Sequence, residues 1–199
     1  MIYVTSDTHF SHANIIKYCN RPFKDTDEMN SILIKKWNET VDKNDDVYHL
    51  GDFAFAQRTD TSISYKETLK RNLTYLTSIL NGRIHLILGN HDLKLRVMSL
   101  CGFESVQKGP VEMTYEGINC IFSHTPLENI PIDYVNIHGH IHNTFLPQYI
   151  KPYYINVSTD ITGFKPVSLD SLITIYQYRQ MMNNELTPTE FFQRLDNYE

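Results

Sequence analysis

Three cysteines in 199 residues, Cys19, Cys101 and Cys120, are an odd number at no ligand-like spacing. That excludes a disulfide framework and a thiolate metal site, and reads as reduced, partly buried thiols in a cytoplasmic chain. Long apolar runs are also missing, since no stretch approaches the roughly 18 residues a membrane span needs. The opening Met1-Ile2-Tyr3-Val4-Thr5-Ser6-Asp7 leaves no room for a secretory leader. Positive charge is scarce: 18 Lys and Arg stand against 23 Asp and Glu, for a formal net charge of −5. A basic coat for nucleic acid is therefore not the design, although a local basic patch is compatible with it. With only eight Gly and eight Pro, and no linker-like tract or repeat, the chain reads as one domain over residues 1–199. Alanine is nearly absent, with 3 copies against 20 Ile and 16 Asn, as AT-rich coding in a low-GC bacterium or one of its phages would give. A phage-encoded chain would work in the host cytoplasm.

What the chain does have is an ordinary hydrophobic share of 41%, enough at this length to build a core without metal or disulfide staples. It also has nine histidines, three of them at His138, His140 and His142. Neutral imidazole is the commonest metal ligand.

Short apolar runs at 2–5, 47–50 and 84–88 stop abruptly at polar residues, as buried strands do where they end in loops. Between them, Met29, Leu33, Trp37 and Val41 recur every four residues behind an Asp25/Glu28 capping-box start, which predicts a helix. Tyr65, Leu69, Leu73, Leu76 and Leu80 form a second stripe, closed by Asn81-Gly82. This strand–helix alternation predicts an α/β sheet feeding loops at one edge, where open α/β folds place their sites. In the second half, Val111–Tyr115 and Ile118–Ser123 flank Glu116-Gly117, a hairpin signal. Residues 134–138, 153–157 and 172–176 are further strand candidates. Thr187-Pro188-Thr189-Glu190 caps a final helix over 188–197, which would lay Phe191, Phe192 and Leu195 on the body. The expectation is an α/β fold of two packed mixed sheets, a β-sandwich, flanked by helices.

The polar residues that end these strands form a series. After the first comes Asp7-Thr8-His9, after the second Gly51-Asp52, and after the third Gly89-Asn90-His91-Asp92. The 118–123 strand ends in His124, and the 134–138 strand in Gly139-His140-Ile141-His142. One histidine after a strand is more often a satisfied surface or core residue than a ligand, but a run of such strand ends is hard to explain by accident. Carboxylates, imidazoles and an amide oxygen without thiolate make a mixed N/O site, suited to Mn, Fe, Zn, Ni or Co. The donors are too many for one ion. A bridging carboxylate would hold two ions roughly 3.5–4 Å apart, the geometry of two-metal phosphoryl hydrolysis. Two divalent ions would outweigh the charge of Asp7 and Asp52, so an anion would be drawn in despite the net charge of the chain.

These motifs, Asp7-x-His9, Gly51-Asp52, Gly89-Asn90-His91-Asp92, His124 and Gly139-His140-x-His142, resemble the ordered motifs of the calcineurin-like metallophosphoesterases. The resemblance spans residues 1–142, and the opening Thr5-Ser6-Asp7-Thr8-His9-Phe10 is similar to small single-domain bacterial and phage members. It implies a four-layer fold of two packed sheets with helices outside. One divalent ion, Mn by preference with Fe, Zn, Ni, Co or Mg as alternatives, would take Asp7, His9, Asp52 and His142. A second would take Asp52, Asn90, His124 and His140, with Asp52 bridging. A hydroxide between the ions would attack phosphorus, and His91 would protonate the departing alkoxide or stabilise charge on the phosphoryl oxygens. The implied activity is phosphodiesterase action on nucleotides or short nucleic acids. The alternatives are a phosphomonoesterase, a nucleotide pyrophosphohydrolase or a non-catalytic scaffold. Protein serine/threonine phosphatases carry an Asp where Phe55 stands, so protein phosphatase activity is disfavoured.

Several residues have competing readings. Asp92 reads better as the N-cap of a helix over Leu93–Leu100 than as a group orienting His91. His12 and Asn14 either touch substrate or belong to a short helix over 12–18 capped by Ser11. Arg21 is the best phosphate-clamp candidate, against an ordinary solvated arginine. His138 is expected to point away from His140, because strand neighbours alternate. His49 and His85 read as core or supporting residues, and Lys66, Lys70 and Arg71 as a solvated helix face.

Overall fold

The computed structural model describes residues 1–56, 62–146, 148 and 151–182. Its elements are β1 (Ile2–Thr5), α1 (Ala13–Tyr18), α2 (Thr26–Thr40), β2 (Asp46–His49), α3 (Tyr65–Ile79), β3 (Arg83–Ile87) and α4 (Leu95–Met98), then β4 (Ser105–Gln107), β5 (Val111–Tyr115), β6 (Ile118–Ser123), β7 (Tyr134–His138), β8 (Tyr154–Asn156), β9 (Val167–Ser168) and α5 (Leu169–Met181). They build two mixed sheets, ordered β4-β3-β2-β1-β9 and β5-β6-β7-β8. β1 to β4 are mutually parallel and β9 closes the edge antiparallel to β1. In the second sheet β5 and β6 form an antiparallel hairpin, while β6, β7 and β8 run parallel. Glu116 at φ 48° and Gly117 at φ 80° supply the paired left-handed residues that a tight hairpin turn requires.

The sequence periodicities explain the layers. Strand neighbours point to opposite faces, so β1 sends Tyr3 to one core and Val4 to another. On the outer face of the first sheet, Val47, Ile84 and Leu86 meet Met29, Leu33 and Trp37 of α2 and Leu69, Leu73 and Leu76 of α3. On its inner face, Val4, Leu50 and Ile87 join Phe122, Ile137 and Ile155 of the second sheet. α2 starts where expected, with the Asp25 carboxylate accepting from the Glu28 N–H at 2.9 Å. Glu28 reaches back to accept from the Lys24 N–H at 2.7 Å. α3 begins on Ser64, whose hydroxyl accepts from the Glu67 N–H at 3.2 Å.

Both sets of parallel strands finish at the same edge. Ser6, just after β1, bridges Ser158, just after β8, so the carboxyl ends of the two sheets are joined there. No helix among the described residues is long and apolar enough to cross a membrane.

Residues 172–176, expected as a strand, lie in α5. Their β-branched composition suggested extension, but Ser168 caps a helix by accepting from the Ser171 N–H at 3.2 Å, and Leu169, Leu172 and Ile173 bury one helical face. The helix expected over Leu93–Leu100 shrinks to α4, and Lys94, not Asp92, precedes it without a side-chain cap. His12, not Ser11, stands at the N-cap of α1, also without a capping bond. β4 and β9 have no counterpart in the sequence reading. The helix expected over 188–197, with Phe191, Phe192 and Leu195, lies outside the described residues. All three cysteines are free and buried.

Leu73→Ala removes a side chain with no exposed surface from the α3 interface. The expected loss is about 2–5 kcal/mol of stability, read as a lower urea midpoint at unchanged m-value.

Candidate metal centre

Beyond the strand ends the backbone keeps its parallel ladder for a few residues. The Asp7 N–H donates to the Gly51 carbonyl at 3.0 Å, His9 to Asp52 at 3.1 Å, and Gly139 to His124 at 2.9 Å. This stacks the loops that carry the candidate ligands directly on one another. Glycine makes the approach possible: a Cβ on Gly89 would lie 2.2 Å from Asp52 Oδ1, and one on Gly139 would lie 2.3 Å from Asp7 Oδ2. Asp7, His9, Asp52, His140 and His142 all have left-handed backbones, with φ of 57°, 49°, 58°, 69° and 49°. Each such residue costs roughly 1–2 kcal/mol.

Each carboxylate divides its oxygens between scaffold and site. Asp7 Oδ2 accepts from the His140 N–H at 2.8 Å and the Ser158 hydroxyl at 2.9 Å, whereas Oδ1 is buried with no partner. Asp52 Oδ1 accepts from the His91 N–H at 2.8 Å, while Oδ2 lies 3.6 Å from His9 Nε2 and 3.5 Å from His124 Nε2. Both His9 ring nitrogens are buried without a hydrogen bond. His142 Nε2 sits 3.9 Å from Asp7 Oδ1. His124 Nδ1 lies 2.8 Å from the Leu50 carbonyl. Donation there leaves Nε2 as a lone pair facing Asn90 Oδ1 at 2.8 Å and His140 Nδ1 at 3.2 Å.

Buried acceptors pointed at one another repel unless a cation lies among them, because burial without partners costs several kcal/mol. The donors therefore fit divalent metal. Asp7, His9 and His142 form one group with ligand atoms mutually within 4.8 Å, and Asp7, Asp52 and His124 form another.

Burial pushes the His9 imidazole far below its usual range, helped by the neighbouring His142. Burial likewise raises the Asp52 carboxyl, with His124 and a backbone hydrogen bond working the other way. Burial works against charge on His142, but the hydrogen bond to Asp160 carries it up to about 10. Burial would raise Asp160 too, yet its bonds to His142 and Arg21 hold it below the usual carboxylate range.

Supporting residues explain how the ligands stay in place. Asp160 accepts from His142 Nδ1 at 2.7 Å, the carboxylate–histidine arrangement that orients a metal ligand. Arg21 grips Asp160 with Nε at 2.7 Å and one terminal nitrogen at 3.0 Å, and donates to the Asp7 and Thr8 carbonyls at 2.8 and 2.9 Å. Its side chain has no exposed surface. Arg21 is thus neither a solvated arginine nor an open phosphate clamp: its fork is spent on the Asp7 loop. Asp92 is no helix cap, because its carboxylate accepts from the N–H groups of Asp52, Phe53 and Gly89 at 2.9, 3.0 and 2.8 Å. It staples two ligand loops together. His49 does the same in neutral form: Nδ1 accepts from the Gly51 N–H at 3.2 Å, so Nε2–H donates to Thr8 Oγ1 at 2.9 Å. His138 is fully buried, with its Nδ1 3.0 Å from the Gly139 carbonyl oxygen. His85 lies between Ser105 and Asp46 on the first sheet. Lys70 and Arg71 pair with Glu67 at the surface.

A cleft of about 560 Å³ opens beside these ligands, with His9, His12, Phe55, His91, His140 and His142 in its walls. His91 is exposed, its ring centroid 5.8 Å from that of His9 and 5.5 Å from Phe55. His12 stacks on Phe55 at 4.0 Å. Asn14 is exposed on α1 and is not among the residues that line the cleft. Asp160 escaped the sequence reading, since it follows β8 with no motif around it.

The profile of the calcineurin-like phosphoesterases matches residues 1–189. The uncharacterized protein MJ1445 of Methanocaldococcus jannaschii is 38% identical over 185 residues, covering 88% of this chain and 91% of that protein. The protein of unknown function AQ665 from Aquifex aeolicus superposes with a TM-score of 0.67 at 24% identity, over 88% of this chain and 98% of that one. That likeness speaks to the fold.

Asp160→Asn keeps a group of the same shape beside His142 but removes the charge. Divalent-ion affinity, measured by titration calorimetry, is expected to fall about 10- to 100-fold, with the far-ultraviolet dichroism unchanged.

Proposed function

The chain belongs to the calcineurin-like phosphoesterases, a family of metal-dependent phosphoester hydrolases, and we propose that it acts as a dinuclear phosphodiesterase. The substrates in this reading are nucleotide or short nucleic-acid phosphoesters. The observation that carries it is the placing of imidazole nitrogens on both sides of Asp52 Oδ2, His9 Nε2 at 3.6 Å and His124 Nε2 at 3.5 Å, with Asp7 Oδ1 and both His9 nitrogens buried without a hydrogen bond. One ion would rest on Asp7, His9, Asp52 and His142, the other on Asp52, Asn90, His124 and His140. Manganese suits this N/O set. Bound ions would supply the charge that makes water nucleophilic at neutral pH and offsets charge on the phosphoryl oxygens. The place of action in this reading is the cytoplasm, or that of the host for a phage-encoded chain, and the working unit is a single domain.

The chain's own residues do the rest. Asp7 and Asp52 each keep one oxygen on the scaffold, so the other is aimed without freedom to swing. His91 is fixed at its backbone by Asp52 Oδ1, 2.8 Å from its N–H, and presents its ring to the cleft. There it would donate a proton to the departing alkoxide. Preference for diesters is supported by the cleft walls, since no Lys or Arg stands among the described residues lining them. A monoester dianion gains more than a singly charged diester from a cation outside the centre.

The deciding assay compares bis-p-nitrophenyl phosphate with p-nitrophenyl phosphate on manganese-loaded protein. Diester cleavage is expected to dominate, and monoester cleavage without diester cleavage would overturn the reading. His91→Ala is expected to lower kcat by about 10²–10⁴ for alkoxide leaving groups. The loss should be clearly smaller for p-nitrophenolate, which departs without a proton.

A further inference from the structure

We propose that the cleft beside the metal centre holds a nucleobase of the substrate against an aromatic wall formed by Phe55, His12 and Tyr18. This deepens the phosphodiesterase reading and rests on it for the position of the phosphate. The wall starts at the centre itself. The Phe55 ring lies 5.6 Å from that of His9 with planes at 27°, and 4.0 Å from that of His12 with planes at 13°. Tyr18 follows 6.4 Å from His12, edge-on at 74°. A chain of neighbouring rings therefore links a candidate metal ligand, His9, through Phe55 and His12 to Tyr18, all of them lining the cleft.

Tyr18 is 74% exposed, and a single exposed aromatic on a surface is ordinary. This one differs in its place. It lines the cleft edge-on to the His12 ring, which leaves its face available to a planar ligand. The cleft volume, about 560 Å³, falls within the ~300–1,000 Å³ of small-molecule sites. Ile141 and Leu146 add apolar surface, and Asn143 and Thr144 add amide and hydroxyl groups able to meet a base edge. Stacking would accept any base, because every base has a π-face. The lack of cations in the described walls also argues against a long polyanion lying in this cleft. It favours a ligand whose part away from the phosphate is planar and uncharged.

The test is binding, measured by titration calorimetry on the full chain with adenosine 5′-monophosphate and ribose 5-phosphate. These share the phosphate and the sugar and differ in the base. Wild type is expected to bind the nucleotide roughly tenfold or more tighter, the effect of one base–aromatic stack. Tyr18→Ala should reduce that ratio several-fold, while Tyr18→Phe should keep it, since the ring and not the hydroxyl carries the contact. Equal affinities in wild type, an unchanged ratio in Tyr18→Ala, or no measurable binding of either ligand overturns the proposal. Selective nucleotide binding without hydrolysis of any ester would instead sink the phosphodiesterase reading and leave the base site standing. Hydrolysis without base selectivity would do the reverse.

Discussion

The structure turns on one constraint: side chains from loops of two different sheets must converge on a small volume in which Asp7 Oδ1 and both His9 nitrogens find no hydrogen-bond partner among the described residues. Two carboxylate oxygens, imidazole lone pairs and an amide oxygen meet there at 2.8–4.0 Å. In water each would be solvated at no cost; at this edge most are buried. Much of the surrounding architecture can be read as what keeps these groups from moving apart. The bridge between Ser6 and Ser158 holds the two sheets together at the edge where repulsion would separate them.

Backbone strain belongs to the same account. Left-handed residues at Asp7, His9, Asp52, His140 and His142 sum to roughly 5–10 kcal/mol, comparable to the whole net stability of a domain. Such conformations persist only where neighbours over-determine them. For Asp7 the restraints are the N–H bond to Gly51, the Arg21 grip on its carbonyl and the two donors on Oδ2. For Asp52 they are the Asp92 bond to its N–H, the His9 N–H on its carbonyl and the His91 N–H on Oδ1. Arg21, Asp92 and Asp160 are buried charges, costly unless paired and hydrogen-bonded. All three are spent on the ligand loops and not on a substrate.

These restraints also mark the limit of what the sequence discloses. Strand ends bearing Asp, His and Asn beside glycine are local patterns, so the candidate ligands are legible in the sequence, as is the two-sheet fold from alternating periodicities. Arg21 and Asp160 are 139 positions apart, and no local pattern links them. Asp92 showed a plausible local role as a cap, but the tertiary demand of three orphan N–H groups prevailed. Residues 172–176 failed for a related reason. A run of Leu, Ile, Thr, Ile and Tyr fits either state, and the deciding signal was the Ser168 cap outside it. Short edge strands such as β9, two residues long, exist because a neighbour offers a ladder, and carry no pattern of their own.

Strain and buried acceptors together imply that folding and cation binding are linked in this family member. A ligand that binds only the folded state adds stability as RT ln(1 + [L]/Kd), about 2.7 kcal/mol at a hundredfold excess over Kd. Relief of the mutual repulsion among the acceptors is part of that term, because it enters through a lower Kd. The apolar cores beneath the site owe nothing to this. Phe122, Ile137 and Ile155 on one side, and Met29, Leu73 and Trp37 on the other, bury their surfaces whatever occupies the edge. The division of labour follows: hydrophobic layers stabilise the frame with enough margin to hold a strained, electrostatically frustrated rim, and the rim keeps its binding energy for a charged ligand.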